Sequence, residues 1–542
     1  MAITQSDTAH AEGVVRSSLV ISGAVLTSRV TGLVREIVLA RLFGASVAYD
    51  AFLLGFRLPN LTRDLFAEGA LSSAFVPTFT EYLANKSREE AVRLASLVAT
   101  AIVWLVGLIC LLGVVFAPQM VRLFAPGFLL VPGKFELAVS LTRIMFPFLL
   151  LVALAAQVMG ILNACNRFAV PATASTIFNI SSLGFGLALG LWAGPWLGLS
   201  PIEGIAWGVL LGGAFQLLWQ LPSMGSLGFR LRPAIDWNHP GLRHILRLMG
   251  PAILGGAAVQ INVLVNTNFA SQLVDAVRGP NGPVSWLSYA FRFMQLPLGL
   301  FGVAIASATL PAISRSFAAD NLDEFRRTLA RSLGFVILLT APSSIGLAVL
   351  GQAMVGAIYQ GGRFDAYDTH QTAVALLCYS LGLPGYAAIK VLTPAFYTLR
   401  DSRTPMAVSL LSIAINAAVA TLLLSHTSLG HAGLALTTSF VAVFNFLSLF
   451  FVARRRLGGI YGRALASSLA RIALACLAMG IVVAAISHFI QGAMPSSRLR
   501  CLLELAACIP AGFFSFYYLC QRLAVPEMEL ARGVLARRLS RR

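Results

Sequence analysis

The sequence predicts an all-α polytopic membrane protein with about fourteen transmembrane helices. Of its 542 residues, 57% are hydrophobic and only 11% are charged, whereas soluble domains carry about 25% charged residues. Apolar runs long enough to cross a bilayer recur along the whole chain. The net charge of +18 is explained by loops held against anionic lipid, so membrane lipids are expected partners and nucleic acid is not.

The apolar runs are grouped as six, six and two. The first six predicted spans lie near residues 15–43, 48–82, 94–117, 137–163, 171–193 and 203–222, and the next six near 247–273, 284–312, 328–350, 371–398, 406–425 and 431–453. Two more follow near 466–489 and 500–521. We therefore predict an N-terminal lobe (1–225), an amphipathic cytoplasmic linker (226–246), a C-terminal lobe (247–455), a helix pair (456–525) and a basic cytoplasmic tail (526–542).

The distribution of positive charge predicts the orientation of the spans. With the N-terminus inside, most of the 40 lysines and arginines fall in cytoplasmic segments, as the positive-inside rule requires. An even number of spans then places both termini in the cytoplasm.

The stretch from Leu26 to Pro77 combines an apolar composition with several arginines, among them Arg29, Arg35, Arg57 and Arg63. A charge at the centre of a membrane helix costs about 2.5–3.5 kcal/mol on insertion scales, so such residues usually face water or a partner. The planar guanidinium group suits phosphate and carboxylate oxygens. The pattern predicts a cavity for an anionic substrate. The alternative is that some of these arginines lie at helix ends and extend to the membrane surface.

An internal repeat extends this prediction to the second half of the chain. A shift that places Phe56 on Phe291 also places Arg57 on Arg292 and brings Pro77 within one position of Pro311. Repeats in the same orientation are found in transporters whose halves are related about the membrane normal. We therefore expect two six-helix lobes around a central cationic cavity, with Arg292 facing it.

Few acids accompany these arginines. Glu36 and Glu68 are expected to line the cavity and pair with arginines rather than bind cations. Asp50 either takes the same role or caps the second span. Lys390, in an otherwise apolar span, either contacts substrate or packs between helices with local water.

The seven cysteines form no Cys-x-x-Cys pair, and no histidine lies at metal-ligand spacing. We therefore expect no disulfide, no metal site and no cofactor.

Several motifs resemble a known family. The segments SRVTGLVRE (28–36), DAFLLGFRLPNLTRDLFAEGALSSAFVP (50–77), NACNRFAVPA (163–172), MGPAILG (249–255) and KVLTPAFYTLRD (390–401) are similar, in order, to those of the lipid II flippase family, MurJ or MviN. This family belongs to the multidrug/oligosaccharidyl-lipid/polysaccharide exporter superfamily.

The resemblance implies a function. Such proteins move the undecaprenyl-pyrophosphate-linked disaccharide-pentapeptide from the inner to the outer leaflet of the bacterial cytoplasmic membrane by alternating access, for cell-wall synthesis. The family's essential arginines fall on Arg29, Arg35, Arg63 and Arg292, and a functionally important acid falls on Asp50. Asn60, in LPNLTRD, is expected to support the cavity. The resemblance further implies that the final helix pair binds the lipid tail and that the cell-wall synthesis machinery is a candidate partner.

The sequence also departs from the family. Some members bind sodium through carboxylates in the second lobe, whereas the matching spans here offer Asn266, Asn268, Asn416 and Asn445 and almost no acid. A sodium site is therefore not expected.

Three alternatives compete with the flippase. A multidrug exporter would be expected to carry acids at mid-membrane, whereas this sequence has more arginines than acids there. A flippase for another lipid-linked oligosaccharide is disfavoured because the motifs match the lipid II flippase family. A membrane glycosyltransferase would need paired loop carboxylates for Mg²⁺. The segment DNLDEF (320–325) contains three acids, but it is better explained as a helix-capping loop between two spans. We therefore expect that the protein is not an enzyme.

Overall fold

The computed structural model describes residues 5–63, 71–495, 497–530 and 532, and nearly all of this part of the chain is α-helical. Its only extended pairings are two single bridges, Asp275 with Gly279 and Gly361 with Phe364. The predicted all-α fold is confirmed.

The chain divides into two compact units, Met1–Gln260 and Ile261–Arg542. The helices of the first unit are α1 (Gln5–Phe43), α2 (Val47–Arg63), α3 (Ser72–Asn85), α4 (Arg88–Val115), α5 (Ala117–Phe124), α6 (Lys134–Met145), α7 (Phe148–Ala164), α8 (Ala169–Leu187), α9 (Gly194–Leu197) and α10 (Pro201–Ser226). Helix α11 (Pro240–Ser271) crosses the boundary. The second unit contains α12 (Pro283–Pro297), α13 (Val303–Ala318), α14 (Leu322–Ile358), α15 (Ala366–Ser380), α16 (Leu383–Thr398), α17 (Arg403–His426), α18 (Gly430–Arg456), α19 (Gly462–Ala493) and α20 (Arg498–Arg522).

Many of these helices can cross a membrane. Within the described residues, ten helical segments are long and apolar enough, and an eleventh span is formed if the bent pair α15–α16 is counted as one. Helix α2 is 17 residues long, and the predicted second span (48–82) includes residues 64–70, which lie outside the described part. The predicted number of fourteen spans stays a prediction.

The segment between α10 and α11, where an amphipathic linker is predicted, contains neither helix nor strand. It is tied to α4, because the amide of Arg232 donates to Ser96 Oγ at 3.2 Å and that of Ala234 donates to Thr100 Oγ1 at 3.1 Å. Helix α11 then begins at Pro240, and its Leu242 and Ile245 are buried. These contacts explain why the first turns of α11 belong to the first unit.

Polar residues begin several helices. The side chain of Asn321 accepts a hydrogen bond from the amide of Glu324 at 3.0 Å and so caps α14, which confirms the predicted role of the DNLDEF segment. Ser200 and Glu203 form a capping box at the start of α10.

Helices α8 and α10 lie unusually close together because glycines line their contact. A Cβ atom at Gly208 would overlap the carbonyl oxygen of Ser182, and one at Gly212 would lie 2.7 Å from Ser182 Cβ. Gly204 meets the backbone of Gly190 in the same way. Small residues four apart allow membrane helices to pack backbone against backbone. This glycine stripe holds α8 firmly against α10.

In the second unit, α14 is the common neighbour of several helices. It packs against α13, α15 and α16, and also against the final pair, α19 and α20. The contact with that pair is an apolar cluster that includes Leu338, Ile472, Met479, Cys508 and Phe516.

A loop cluster forms between α11 and α12. The Asp275 carboxylate accepts hydrogen bonds from the amides of Val277 and Arg278 at 2.9 and 2.8 Å and from the Tyr367 hydroxyl at 2.8 Å. Partial burial opposes the charge of Asp275, but these hydrogen bonds outweigh it and lower the pKa of its carboxyl group. Arg278 forms ion pairs with Asp365 and Asp368.

Candidate functional site

Helix α1 presents two of the predicted arginines at different depths. Arg29 is exposed, whereas Arg35 is half-buried. Glu36 is half-buried and follows Arg29 by two turns, so the two residues lie on one face of the helix. The first helix therefore carries an accessible cation, a nearby acid and a second, more enclosed cation.

Helix α8 holds this part of α1 in place. The Asn179 side-chain amide donates to the carbonyl oxygen of Ser28 at 3.0 Å and to Thr31 Oγ1 at 3.4 Å. The close approach depends on Gly32, where a Cβ atom would lie 3.3 Å from Asn179 Nδ2. The Arg35 guanidinium carbon lies 5.3 Å from the centroid of the Phe178 ring, a cation–π geometry. Asn179 and Phe178 thus position the segment between the two arginines.

An aromatic row connects Arg35 with helix α2. Starting at Phe178, ring centroids follow one another at 5.3 Å to Phe148, 6.1 Å to Phe56 and 6.1 Å to Phe52. Contacts of this length between aromatic rings stabilise packing beyond the area they bury. The row therefore links the helix of Arg29 and Arg35 to the helix of Arg57 and Arg63.

Helix α2 carries three further predicted residues, all of them half-buried: Arg57, Asn60 and Arg63. Asn60 Oδ1 is buried and accepts no hydrogen bond from the part of the chain that the structure describes. Glu68 lies in residues 64–70, outside the described part.

Asp50 has a different environment from the one expected. It is fully buried, and its Oδ2 accepts a hydrogen bond from Lys134 Nζ at 2.9 Å. Ser46 precedes the helix and its Oγ accepts from the amide of Tyr49 at 3.4 Å, while Asp50 follows as the acid of the first turn, where a negative charge suits the positive end of the helix. Asp50 lies in the first turn and pairs with a lysine.

The predicted residues of the second unit are accessible. Arg292 is exposed on α12, whereas Tyr289 and Phe293 of the same helix are buried and their rings pack against Tyr359 at 5.0 and 5.5 Å. Lys390 is exposed on α16. How Arg292 relates to the arginines of the first unit stays a prediction.

Asparagines of α11 and α17 form a neutral cluster with hydroxyl groups of α17 and α18. Asn416 Nδ2 donates to Asn266 Oδ1 at 3.0 Å, Asn266 Nδ2 donates to Thr438 Oγ1 at 3.0 Å, and Asn262 Nδ2 donates to Ser412 Oγ at 3.0 Å. The amide groups thus bind one another and neighbouring hydroxyls. Because these contacts involve no carboxylate, the cluster supplies no negative charge to offset the desolvation of a sodium ion.

The sequence analysis missed Lys134, Phe178 and Asn179. Lys134 is an isolated cation directly after Gly133 at the start of a predicted span, and that isolation was the only available signal. Phe178 and Asn179 carry no sequence signal of their own, since an aromatic residue and an amide on an apolar helix are common in packed membrane proteins.

Comparison with known proteins identifies relatives over most of the chain. The family model described as "Lipid II flippase MurJ" matches residues 39–503. The "Lipid II flippase MurJ" of Burkholderia cenocepacia is 36% identical over 453 residues, which cover 82% of this chain and 84% of that protein. The "Probable lipid II flippase MurJ" of Vibrio cholerae is 37% identical over 447 residues, covering 80% and 82%.

Solved structures give the same result for the fold. "Lipid II flippase MurJ, inward closed conformation" is similar with a TM-score of 0.75 and 26% identity, over 93% of this chain and all of that one. An inward-facing multidrug resistance transporter of the MATE family, in the MOP superfamily, is similar with a TM-score of 0.64 and 14% identity, over 82% of this chain and 99% of that one. The second likeness concerns the fold alone.

Proposed function

The chain belongs to the MurJ family of lipid II flippases, and from that premise we propose that the arginines of α1 and α2 bind the pyrophosphate of lipid II. The protein is a multi-pass membrane transporter that carries the undecaprenyl-pyrophosphate-linked muropeptide from the inner to the outer leaflet for cell-wall synthesis. The observation that carries this conclusion is the match at 36% identity across 82% of the chain to a curated lipid II flippase.

The assignment of the binding residues rests on chemistry and position. A pyrophosphate carries several negative oxygens, and arginine donates two parallel hydrogen bonds to such groups. Arg29 is exposed, and Arg35 and Arg63 are half-buried, so all three remain partly accessible on helices that are anchored by α8 and α6. We assign Arg29, Arg35 and Arg63 to substrate binding, with Glu36, Arg57 and Asn60 in supporting positions.

Arg292 and Lys390 are assigned on narrower grounds. Arg292 is proposed to bind substrate because one of the family's essential arginines falls on it, in the segment YAFRFMQLP (289–297), and because it is exposed. Lys390 is proposed as a supporting residue on its exposure alone.

Further parts of the proposal concern the surroundings. We place both termini in the cytoplasm and assign the lipid tail to the surface of α19 and α20, where Leu477, Ile481, Phe489 and Phe513 are strongly exposed. We infer that the protein works by transport rather than covalent chemistry, and that the cell-wall synthesis machinery is its protein partner. The multidrug-exporter alternative is disfavoured because its support is a likeness of fold at 14% identity.

The test uses cells depleted of this protein, in which lipid II is expected to accumulate on the inner leaflet. Wild-type protein restores export, whereas Arg29→Ala, Arg35→Ala and Arg63→Ala do not. Loss of a charge-assisted hydrogen bond costs about 1.5–3 kcal/mol, or about 10- to 100-fold in lipid II affinity.

Arg327→Ala is the matched control, because Arg327 is exposed on α14 and forms a surface i,i+4 ion pair with Asp323 at 3.3 Å. The control restores export fully. Full rescue by all three cavity variants at normal membrane abundance would contradict the assignment of these arginines.

A further inference from the structure

The first unit contains an ion pair that is completely removed from solvent. Lys134 Nζ lies 2.9 Å from Asp50 Oδ2, and both side chains are 0% exposed. The ammonium group also lies 4.4 Å from the centroid of the Phe128 ring. Removing one partner of a buried pair leaves an uncompensated charge and costs about 3–5 kcal/mol, whereas replacing both with apolar residues is often tolerated.

The pair joins the beginnings of two helices that run in the same direction. Asp50 lies in the first turn of α2, and Lys134 is the first residue of α6. Further along both helices, Gly55 of α2 faces Thr142 and Met145 of α6, where a Cβ atom would lie 3.1 Å from Thr142 N and 2.9 Å from Met145 Cε. The glycine sets how closely the helices approach, and the ion pair sets how α2 is rotated against α6.

The rotation of α2 determines where its functional side chains point. Arg57 follows Asp50 by two turns and shares its face, and Arg63 lies further along the same helix, after Pro59. A shift of one residue in the α2–α6 register would turn these side chains by about 100°. It would also break the aromatic row from Phe52 to Arg35, because Phe52 and Phe56 belong to α2.

We propose that Lys134 is a positioning residue for substrate binding, which acts by pairing with Asp50 and fixing the rotation of the arginine-bearing helix α2. Asp50 then serves as the partner of Lys134 rather than as a ligand of the substrate. This proposal rests on the proposed function, because it explains how the α2 arginines are held toward lipid II.

The test compares single and double variants of the purified full-length protein. Lys134→Met and Asp50→Asn are each expected to weaken lipid II binding at least tenfold. The charge exchange Asp50→Lys with Lys134→Asp is expected to restore the affinity to within about threefold of wild type, because a pair of opposite charges is present again. Lys86→Met, at an exposed lysine, is the control and keeps wild-type affinity.

A second double variant separates positioning from simple stabilisation. Asp50→Leu with Lys134→Met buries no charge, so it is expected to accumulate in the membrane and unfold near the wild-type temperature. It lacks the directional hydrogen bond, and we expect its lipid II affinity to fall at least threefold. This variant is measured even where the single variants fail to accumulate.

Two results would overturn the proposal: wild-type affinity in the apolar double variant, or a charge exchange that binds no better than the weaker single variant. If the wild-type protein itself does not bind lipid II, the proposed function fails and the positioning role fails with it. Wild-type binding together with unaffected Lys134→Met binding rejects the positioning role alone.

Discussion

Replacing Phe178 with leucine tests whether the aromatic row prepares Arg35 for its substrate. The ring of Phe178 contacts the Arg35 guanidinium at 5.3 Å and the Phe148 ring at 5.3 Å. Leucine keeps the site apolar and filled but removes both ring contacts. A cation–π contact contributes about 0.5–2 kcal/mol, and an aromatic pair contributes about 0.5–1.5 kcal/mol.

These magnitudes predict two separable effects of Phe178→Leu. The free energy of unfolding falls by about 1–3.5 kcal/mol, the sum of the two contacts. Without the cation–π contact Arg35 becomes more mobile, and fixing it again on binding costs about 1–2 kcal/mol. The affinity for lipid II therefore falls by about 5- to 30-fold. The assays are thermal unfolding and equilibrium binding of lipid II, both on purified protein.

The control is Phe185→Leu on the same helix. Phe185 lies two turns further along α8 and packs against Phe215 with centroids 4.9 Å apart, so this variant loses a comparable ring contact without removing the ring that contacts Arg35. It is expected to lower stability without changing affinity. In an Arg35→Ala background, Phe178→Leu is expected to have no further effect on binding. A persistent effect there, or an equal loss of affinity in Phe185→Leu, would refute the reasoning.

Three further predictions concern the fold. Gly208→Ala is expected to lower the thermal unfolding temperature strongly, since its methyl group meets the α8 backbone. The control Gly184→Ala, at a glycine with open space around it, is expected to be neutral or slightly stabilising. Equal effects of the two variants would be inconsistent with the glycine stripe. The lowered pKa of Asp275 stabilises the fold above the ordinary value of 3.8, and this contribution is lost as the pH falls through the lower pKa of the folded state. The difference in unfolding temperature between wild type and Asp275→Asn should therefore shrink on acidification below that range, and a constant difference would exclude the mechanism. Asn416→Leu removes the donor that bonds Asn266 Oδ1 and should lower the free energy of unfolding by about 1–3 kcal/mol. Exchange of sodium for potassium should leave the unfolding temperature of the wild-type protein unchanged. Stabilisation by sodium alone would show that the amide cluster binds that ion.

The fold class was predictable because hydrophobicity along the chain is a local signal. The all-α architecture and the cap at Asn321 follow from runs and motifs that a short window contains. The number of spans was less secure, since α2 contains 17 residues and carries Asp50, Arg57 and Arg63. The same charges that indicate a binding site weaken the apolar signal by which a span is counted.

The arrangement around the site was not predictable from local patterns. Lys134 and Asp50 are 84 positions apart, and nothing in either segment specifies that they meet. Phe178 contacts Arg35 only because α8 is drawn against α1, a contact made by Asn179 through tertiary packing. The accessible arginines could be proposed as site residues because they are charges in an apolar stretch of sequence. The residues that hold them in position could not, because those contacts depend on which helices are neighbours.

The glycine stripe between α8 and α10 has a consequence for sequence divergence in this family. Since Gly208 meets the Ser182 backbone and Gly204 that of Gly190, a larger residue at either glycine requires the facing backbone to move away, because no substitution makes backbone atoms smaller. A substitution in one of the two helices therefore requires a compensating change in the other. Because Asn179 of α8 hydrogen-bonds to α1, a shift of α8 would also displace α1. Chimeras that exchange α8 or α10 alone between relatives should fold poorly, whereas chimeras that exchange both helices together should keep the close contact at the glycine stripe.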